Sequence, residues 1–189
     1  MKYIPIIELP ILILLVVIRA LILRRQGIKA LVFGVTDKSD FIMMPVIFCF
    51  LYALLSTVFD LPFPYLLKRC FWETNFLDWP AIILCTCSLI WFAVALKTFG
   101  KSFRVGIDEK TKEKLITNGP FSISRNPIYV AFLTFFLGIF FVFPNISTSL
   151  FFILFFTTIH RQILREEKFL KNHYGKEYED YCIRTRRYL

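Results

Sequence analysis

The run Arg125-Asn126-Pro127-Ile128-Tyr129 and, beyond one apolar hairpin, the run Arg165-Glu166-Glu167 place polar side chains at the ends of strongly hydrophobic stretches. Pro127 disfavours helical geometry at Asn126 and is itself a good first helical residue, so Asn126 sits at a helix N-terminus. Its amide there either caps the helix or binds a ligand. Glu166 and Glu167 are adjacent, so on a helix they point about 100° apart and one of them can turn inward. The competing reading of the pair is local ion pairing with Arg165 or Lys171. The hairpin between the two motifs returns the chain to the side it left, so both can line one pocket.

Such a pocket needs helices to hold it. The chain has 189 residues, of which 57% are hydrophobic and 23 are Phe, well above what a soluble domain of this size carries. An all-α integral membrane protein is the class this implies. Each span takes about 20 residues to cross roughly 30 Å of hydrocarbon, which allows a single domain of several spans. Five segments qualify, at about Ile4–Leu23, Phe41–Phe59, Trp79–Leu96, Pro127–Phe143 and Ser147–Ile159. The last two are short and closely joined, which predicts a tight helical hairpin. Residues 1–189 thus form one domain, with three N-terminal spans in 1–96 and the polar motifs with two spans and a tail in 97–189. The first segment is expected to remain in the mature protein. Glu8 and Pro10 interrupt its start, Arg24-Arg25 come after the apolar run instead of before it, and no small-residue cleavage site appears.

The formal charge of +9 does not mark a nucleic-acid binder, because the basic residues fall between apolar runs and not on one soluble face. They read as topology signals. Arg24, Arg25, Lys29 and Lys38 in the first loop, Lys97 to Arg125 in the third and the basic tail share one side of a five-span chain. Positive-inside counting makes that side cytoplasmic, with the N-terminus outside and the C-terminus inside. The tail, from about Arg161 to Arg184, continues the fifth helix and breaks near Gly175. Five cysteines, Cys49, Cys70, Cys85, Cys87 and Cys182, lack the paired spacing of a zinc site or disulfide scaffold and read as small core residues.

Gly100-Lys101-Ser102-Phe103-Arg104-Val105-Gly106-Ile107-Asp108, Leu115-Ile116-Thr117-Asn118-Gly119-Pro120-Phe121, Arg125-Asn126-Pro127-Ile128-Tyr129, Glu166-Glu167 with Leu170, and Tyr174-Gly175-Lys176-Glu177-Tyr178-Glu179-Asp180-Tyr181 occur in that order. The ordered set resembles the isoprenylcysteine carboxyl methyltransferase and phospholipid methyltransferase superfamily, especially its small bacterial members, over about the C-terminal half. The resemblance implies a membrane enzyme that uses S-adenosylmethionine in a cytoplasm-facing pocket, and a bacterial inner-membrane location. Glu113, Lys114, Leu115, Ile116, Phe121, Asn126, Pro127, Ile128, Tyr129, Glu166 and Glu167 would line that pocket. Many family members carry His where this chain has Asn126 and Tyr where it has Phe121. The first difference removes an ionisable ring, the second a hydroxyl.

In the carboxyl methyltransferases an Arg four residues before a Glu of the pair goes with the substrate carboxylate. Gln162 stands there in this chain, flanked by Arg161. Arg104 and Arg161 are therefore the candidates to engage an anionic acceptor, the alternative for both being interfacial anchoring. The implied acceptor is lipophilic and reached through the bilayer, with a carboxylate foremost and small isoprenoid thiols and phospholipid amines also open. Methyl transfer from a sulfonium is an in-line displacement that needs no metal. Tyr129 and Phe121 could present aromatic faces to the cation. A sterol-type membrane reductase using NADPH, with a similar Tyr181-Cys182 pair, is the enzymatic rival. A non-catalytic transporter or scaffold is the third reading, disfavoured by spans nearly empty of charge.

Overall fold

The apolar runs fold as helices almost to their ends. The computed structural model describes residues 3–25, 43–72, 75–100 and 115–189. Helix α1 spans Ile4–Arg25, α2 Met43–Phe59, α3 Tyr65–Lys68, α4 Asp78–Phe99, α5 Pro120–Ile123, α6 Pro127–Val142, α7 Ile146–Tyr174 and α8 Lys176–Arg184. Among the described residues there is no β-strand, and isolated bridges join Cys70 to Asn145 and Ser124 to Arg186. α1, α4 and α7 are long and apolar enough to cross a membrane; α2 and α6 are shorter apolar helices. The architecture is that of an all-α integral membrane protein. Helix α1 runs unbroken through Pro10, at the cost of the hydrogen bond that its missing N–H would have given the Ile6 carbonyl.

Cross-helix contacts fix the directions. Thr86 Oγ1 donates to Glu8 Oε1 at 2.6 Å, and Arg19 donates to the Gly100 carbonyl at the end of α4, so α1 and α4 run parallel. The Arg19 guanidinium there also meets the negative end of the α4 dipole. Trp91 Nε1 donates to the Pro127 carbonyl at 2.9 Å while Gly138 lies against Ala81 and Cys85, so α6 runs antiparallel to α4. On α2 and α7, Phe50 stacks on Phe151 with ring centroids 3.7 Å apart, and Phe136 of α6 meets Phe155 of α7 edge-on at 4.7 Å. One end of the bundle thus gathers the C-termini of α1 and α4, the start of α6 and the polar half of α7. The other carries the 60–72 loop, sealed by Phe71 N donating to the Pro144 carbonyl at 2.7 Å.

Two local devices set α7. Asn145 accepts from Thr148 N at 2.9 Å and gives its own N–H to Thr148 Oγ1, a capping box that starts the helix directly after the hairpin turn. Gly175, at φ +54°, ends it and lets α8 fold back. The cysteines are less uniform than their sequence context suggests: Cys85 is buried, Cys182 half-buried, and Cys49, Cys70 and Cys87 are exposed.

The α4–α6 seam is the tightest helix contact for which a glycine is decisive. A Cβ on Gly138 would lie 2.4 Å from Cys85 Sγ and 3.0 Å from the Ala81 carbonyl, and small residues are what allow membrane helices to approach this closely. Gly138→Ala is expected to destabilise the bundle by about 1–3 kcal/mol, read from unfolding in mixed micelles. Adding Cys85→Ala to that variant should recover part of the loss by removing the nearest atom.

Candidate active site

Beyond Ile159 helix α7 leaves its apolar section, and the next turns carry His160, Gln162, Glu166 and Glu167. The α6–α7 hairpin brings these residues beside the start of α6. Tyr129, on the first turn of α6, donates its hydroxyl to Glu166 Oε1 at 2.6 Å, and Gln162 Nε2, one turn earlier on α7, donates to the same oxygen at 2.9 Å. Glu166 is half-exposed, and its Oε1 takes both of these neutral donors.

Glu167 points into a different set. Its Oε1 accepts from Arg125 Nε at 3.1 Å and Nη2 at 2.9 Å, and its Oε2 accepts from Arg187 Nε at 2.9 Å, with Arg187 Nη2 at 2.8 Å. The side chains of Glu167 and Arg125 are each only 12% exposed, while that of Arg187 is 37% exposed. Burial pushes the Glu167 carboxyl up, but the hydrogen bonds and charges of Arg187 and Arg125 outweigh it and hold the group below its ordinary range. The local pairing with Arg165 or Lys171 that sequence alone allows is not what Glu167 makes, and Lys171 instead meets Glu179 at 2.9 Å.

The third component is a strap, residues 185–188, directly after α8. Arg125 Nη1 donates to the Thr185 carbonyl at 2.7 Å and the Cys182 carbonyl at 3.3 Å, and Arg125 N donates to the Arg186 carbonyl at 2.9 Å. Asn126 precedes Pro127 at the head of α6, but its side chain makes no cap there. Its Nδ2 donates to the Arg187 carbonyl at 3.1 Å and lies 3.5 Å from Glu167 Oε1. Ser124 Oγ donates to the same Arg187 carbonyl at 3.3 Å and accepts Asn126 N at 3.1 Å. Of the two roles open to Asn126, cap and binding, the geometry removes the first.

Arg125, Asn126, Tyr129, Glu166 and Glu167 therefore form one cluster. Pro127 is buried beneath it and Ile128 packs on the core. Phe121 is separate: its ring is buried 4.9 Å from Phe99 and its carbonyl accepts from Tyr181, whose hydroxyl burial pushes up to about 12. Arg161 is exposed on α7 one residue before Gln162 and so faces another direction. Leu115 and Ile116 are half-buried ahead of α5; Arg104, Glu113 and Lys114 lie outside the described residues. Ser124, Thr185 and Arg187 are not singled out by sequence pattern. The available signal was Tyr178 and Tyr181, three apart on α8 and both buried, which marks α8 as a docked helix and the strap beyond it as held in place.

The fold and cluster together define a helical membrane protein with a polar site at the mouth of its last hairpin. Residues 78–177 match the phospholipid methyltransferase family, and the chain belongs to that family. It is similar to a probable protein-S-isoprenylcysteine O-methyltransferase of Oryza sativa subsp. indica, 29% identical over 113 residues, which are 58% of this chain and 59% of the relative. A second relative, protein-S-isoprenylcysteine O-methyltransferase B of Arabidopsis thaliana, is 30% identical over 122 residues, 63% of this chain and 60% of the relative. The chain thus spans about three-fifths of the length of these curated relatives. No solved structure matches it.

Because Glu167 has a lowered folded-state pKa, its contribution to stability is present in full above the ordinary carboxylate range and is lost as pH falls through the lowered value. Glu167→Gln should cost about 3–5 kcal/mol near neutral pH by leaving two guanidiniums without their counterion. The gap in unfolding temperature between the parent and this variant should stay constant from neutral pH down to about 5 and close below about 4. A gap that is the same at every pH would contradict the assignment.

Proposed function

We propose that this chain catalyses methyl transfer from S-adenosylmethionine to a lipophilic acceptor, with Glu166, Tyr129 and Asn126 at the donor end of the site. The observation that carries the reading is the pairing of Tyr129 and Gln162 on Glu166 within the family-matched segment. The residues fit a sulfonium-bearing amino-acid nucleoside: a half-exposed carboxylate and a phenol ring answer a cation, and the half-buried Leu115 and Ile116 offer apolar contact. When bound, the sulfonium supplies an electrophilic methyl group.

The residues of the chain orient the reaction. Glu166 holds the positive end of the donor by charge, Tyr129 fixes that carboxylate, and Asn126, whose Nδ2 is taken by the Arg187 carbonyl and Glu167, keeps its amide oxygen for a ligand and has no proton-transfer role. Glu167, saturated by its two arginines, serves as the tether of the site and not as a donor ligand. An acceptor carboxylate is already ionised at neutral pH, so these residues would need to orient it and not to deprotonate it. The whole chain acts as one membrane domain in which 1–96 supports the site carried by 97–189. The bundle end that holds the site faces the cytoplasm, with the N-terminus outside, and on the resemblance to small bacterial members the membrane is the bacterial inner membrane.

A second acceptor class has its own support. Gln162 is neutral and donates to Glu166, so the position that precedes the glutamate pair by one helical turn supplies no cation for an acceptor carboxylate, which leaves a lipid amine as the alternative. Arg161 and Arg104 remain the candidates for a carboxylate.

Calorimetric titration of the purified protein in detergent with S-adenosylmethionine, and separately with NADPH, tests the reading. Donor binding is expected, weakened about tenfold or more in Glu166→Gln with the unfolding temperature nearly unchanged. Binding of NADPH alone would transfer the case to a reductase. Given donor binding, turnover on a farnesylated cysteine or on phosphatidylethanolamine then separates the two acceptor classes.

A further inference from the structure

We infer that Arg187 is a positioning residue of the methyl-transfer site, acting through Glu167 by its guanidinium and through Asn126 by its carbonyl, so that the strap after α8 belongs to the reaction apparatus. The inference rests on the methyltransferase reading above. Glu167 Oε2 accepts both of its charged contacts from Arg187, while Oε1 takes those of Arg125. Without the Arg187 guanidinium that carboxylate loses half its fixation and is free to rotate about its Arg125 contacts. Arg125 leads directly into Asn126 and the first turn of α6, which carries Tyr129, and Glu166 is the neighbour of Glu167 in α7. A shift at Glu167 therefore reaches both walls of the donor site within one or two residues.

The apolar bundle core does not include this contact. The Arg187 side chain is more exposed than those of Glu167 and Arg125, and the bundle core of Phe92, Phe135 and Ile139 lies elsewhere. The strap is also held on both sides of Arg187. Arg125 binds the Thr185 carbonyl before it, and after it the Tyr188 hydroxyl lies 2.6 Å from His160 Nδ1 with the two rings stacked. Tyr181 anchors α8 itself on the Phe121 carbonyl. Loss of the guanidinium thus changes the setting of Glu167 while the strap stays docked.

Full-length Arg187→Ala and Arg187→Lys, compared with the parent protein in detergent, test this by calorimetric titration with S-adenosylhomocysteine alongside thermal unfolding. Arg187→Ala is expected to weaken binding about tenfold or more, the size of a lost charge-assisted contact, with a smaller drop in unfolding temperature than Glu167→Gln produces, because Glu167 keeps Arg125 as its counterion. Arg187→Lys should recover part of the affinity, as should millimolar guanidinium ion added to Arg187→Ala. Unchanged affinity in Arg187→Ala would overturn the inference. So would a loss that tracks a collapse in unfolding temperature and responds to neither lysine nor guanidinium. A parent protein that binds no S-adenosylhomocysteine would instead fail the methyltransferase reading, and this inference with it.

Discussion

One carboxylate held between two guanidiniums organises the polar end of this molecule. Glu167 is largely buried, and removing either partner from a buried ion pair is strongly unfavourable because a desolvated charge is left behind. Its two arginines come from segments far apart in sequence: Arg125 from the turn ahead of α6 and Arg187 from the strap after α8. Each also engages the backbone. Arg125 donates to strap carbonyls, and the Arg187 carbonyl accepts from Asn126 and Ser124. The geometry of α6, α7 and the strap at this end therefore closes on a single side chain, and Glu166, the adjacent residue, inherits its position from it.

The membrane part of the structure supplies the frame by other means. Lipid offers no hydrophobic drive for one helix to prefer another, so close packing decides. Gly138 against Cys85 and the ring cluster of Phe50, Phe136, Phe151 and Phe155 provide it. Helix α7 links the two regimes. From Ile159 to Tyr174 it extends about 22 Å beyond its apolar section at 1.5 Å per residue. That extension carries the two glutamates past the lipid-facing part of the helix and provides the surface on which α8 and the strap fold back.

Much of this was legible in the sequence because lipid imposes a simple rule. The five apolar runs and their ends follow from hydropathy and from Pro127, Pro144 and Gly175, and the meeting of Asn126 and Tyr129 with the glutamate pair follows from the shortness of the hairpin. The partners of those residues were not legible. Whether Asn126 caps its own helix or reaches across to a carbonyl depends on the groups lying opposite, and Arg187 sits in a basic run that positive-inside counting absorbs as topology. Adjacent glutamates look equivalent in sequence and differ only through the 100° between them. Phe121 reads as a site residue by motif, yet its place is set by Phe99, a packing neighbour no local pattern announces.

The contact between Arg125 and the Thr185 carbonyl joins residues sixty positions apart, and that separation orders events in biogenesis. During synthesis the turn at Arg125 emerges first, the α6–α7 hairpin next, and the strap only after α8. Insertion into the bilayer depends on the apolar helices and can be complete while the Arg125 guanidinium is still hydrated at the surface. Assembly of the site is therefore a separate, later step. A chain interrupted between α7 and the strap would be threaded through the membrane in the normal way and yet lack the tether that sets its glutamates.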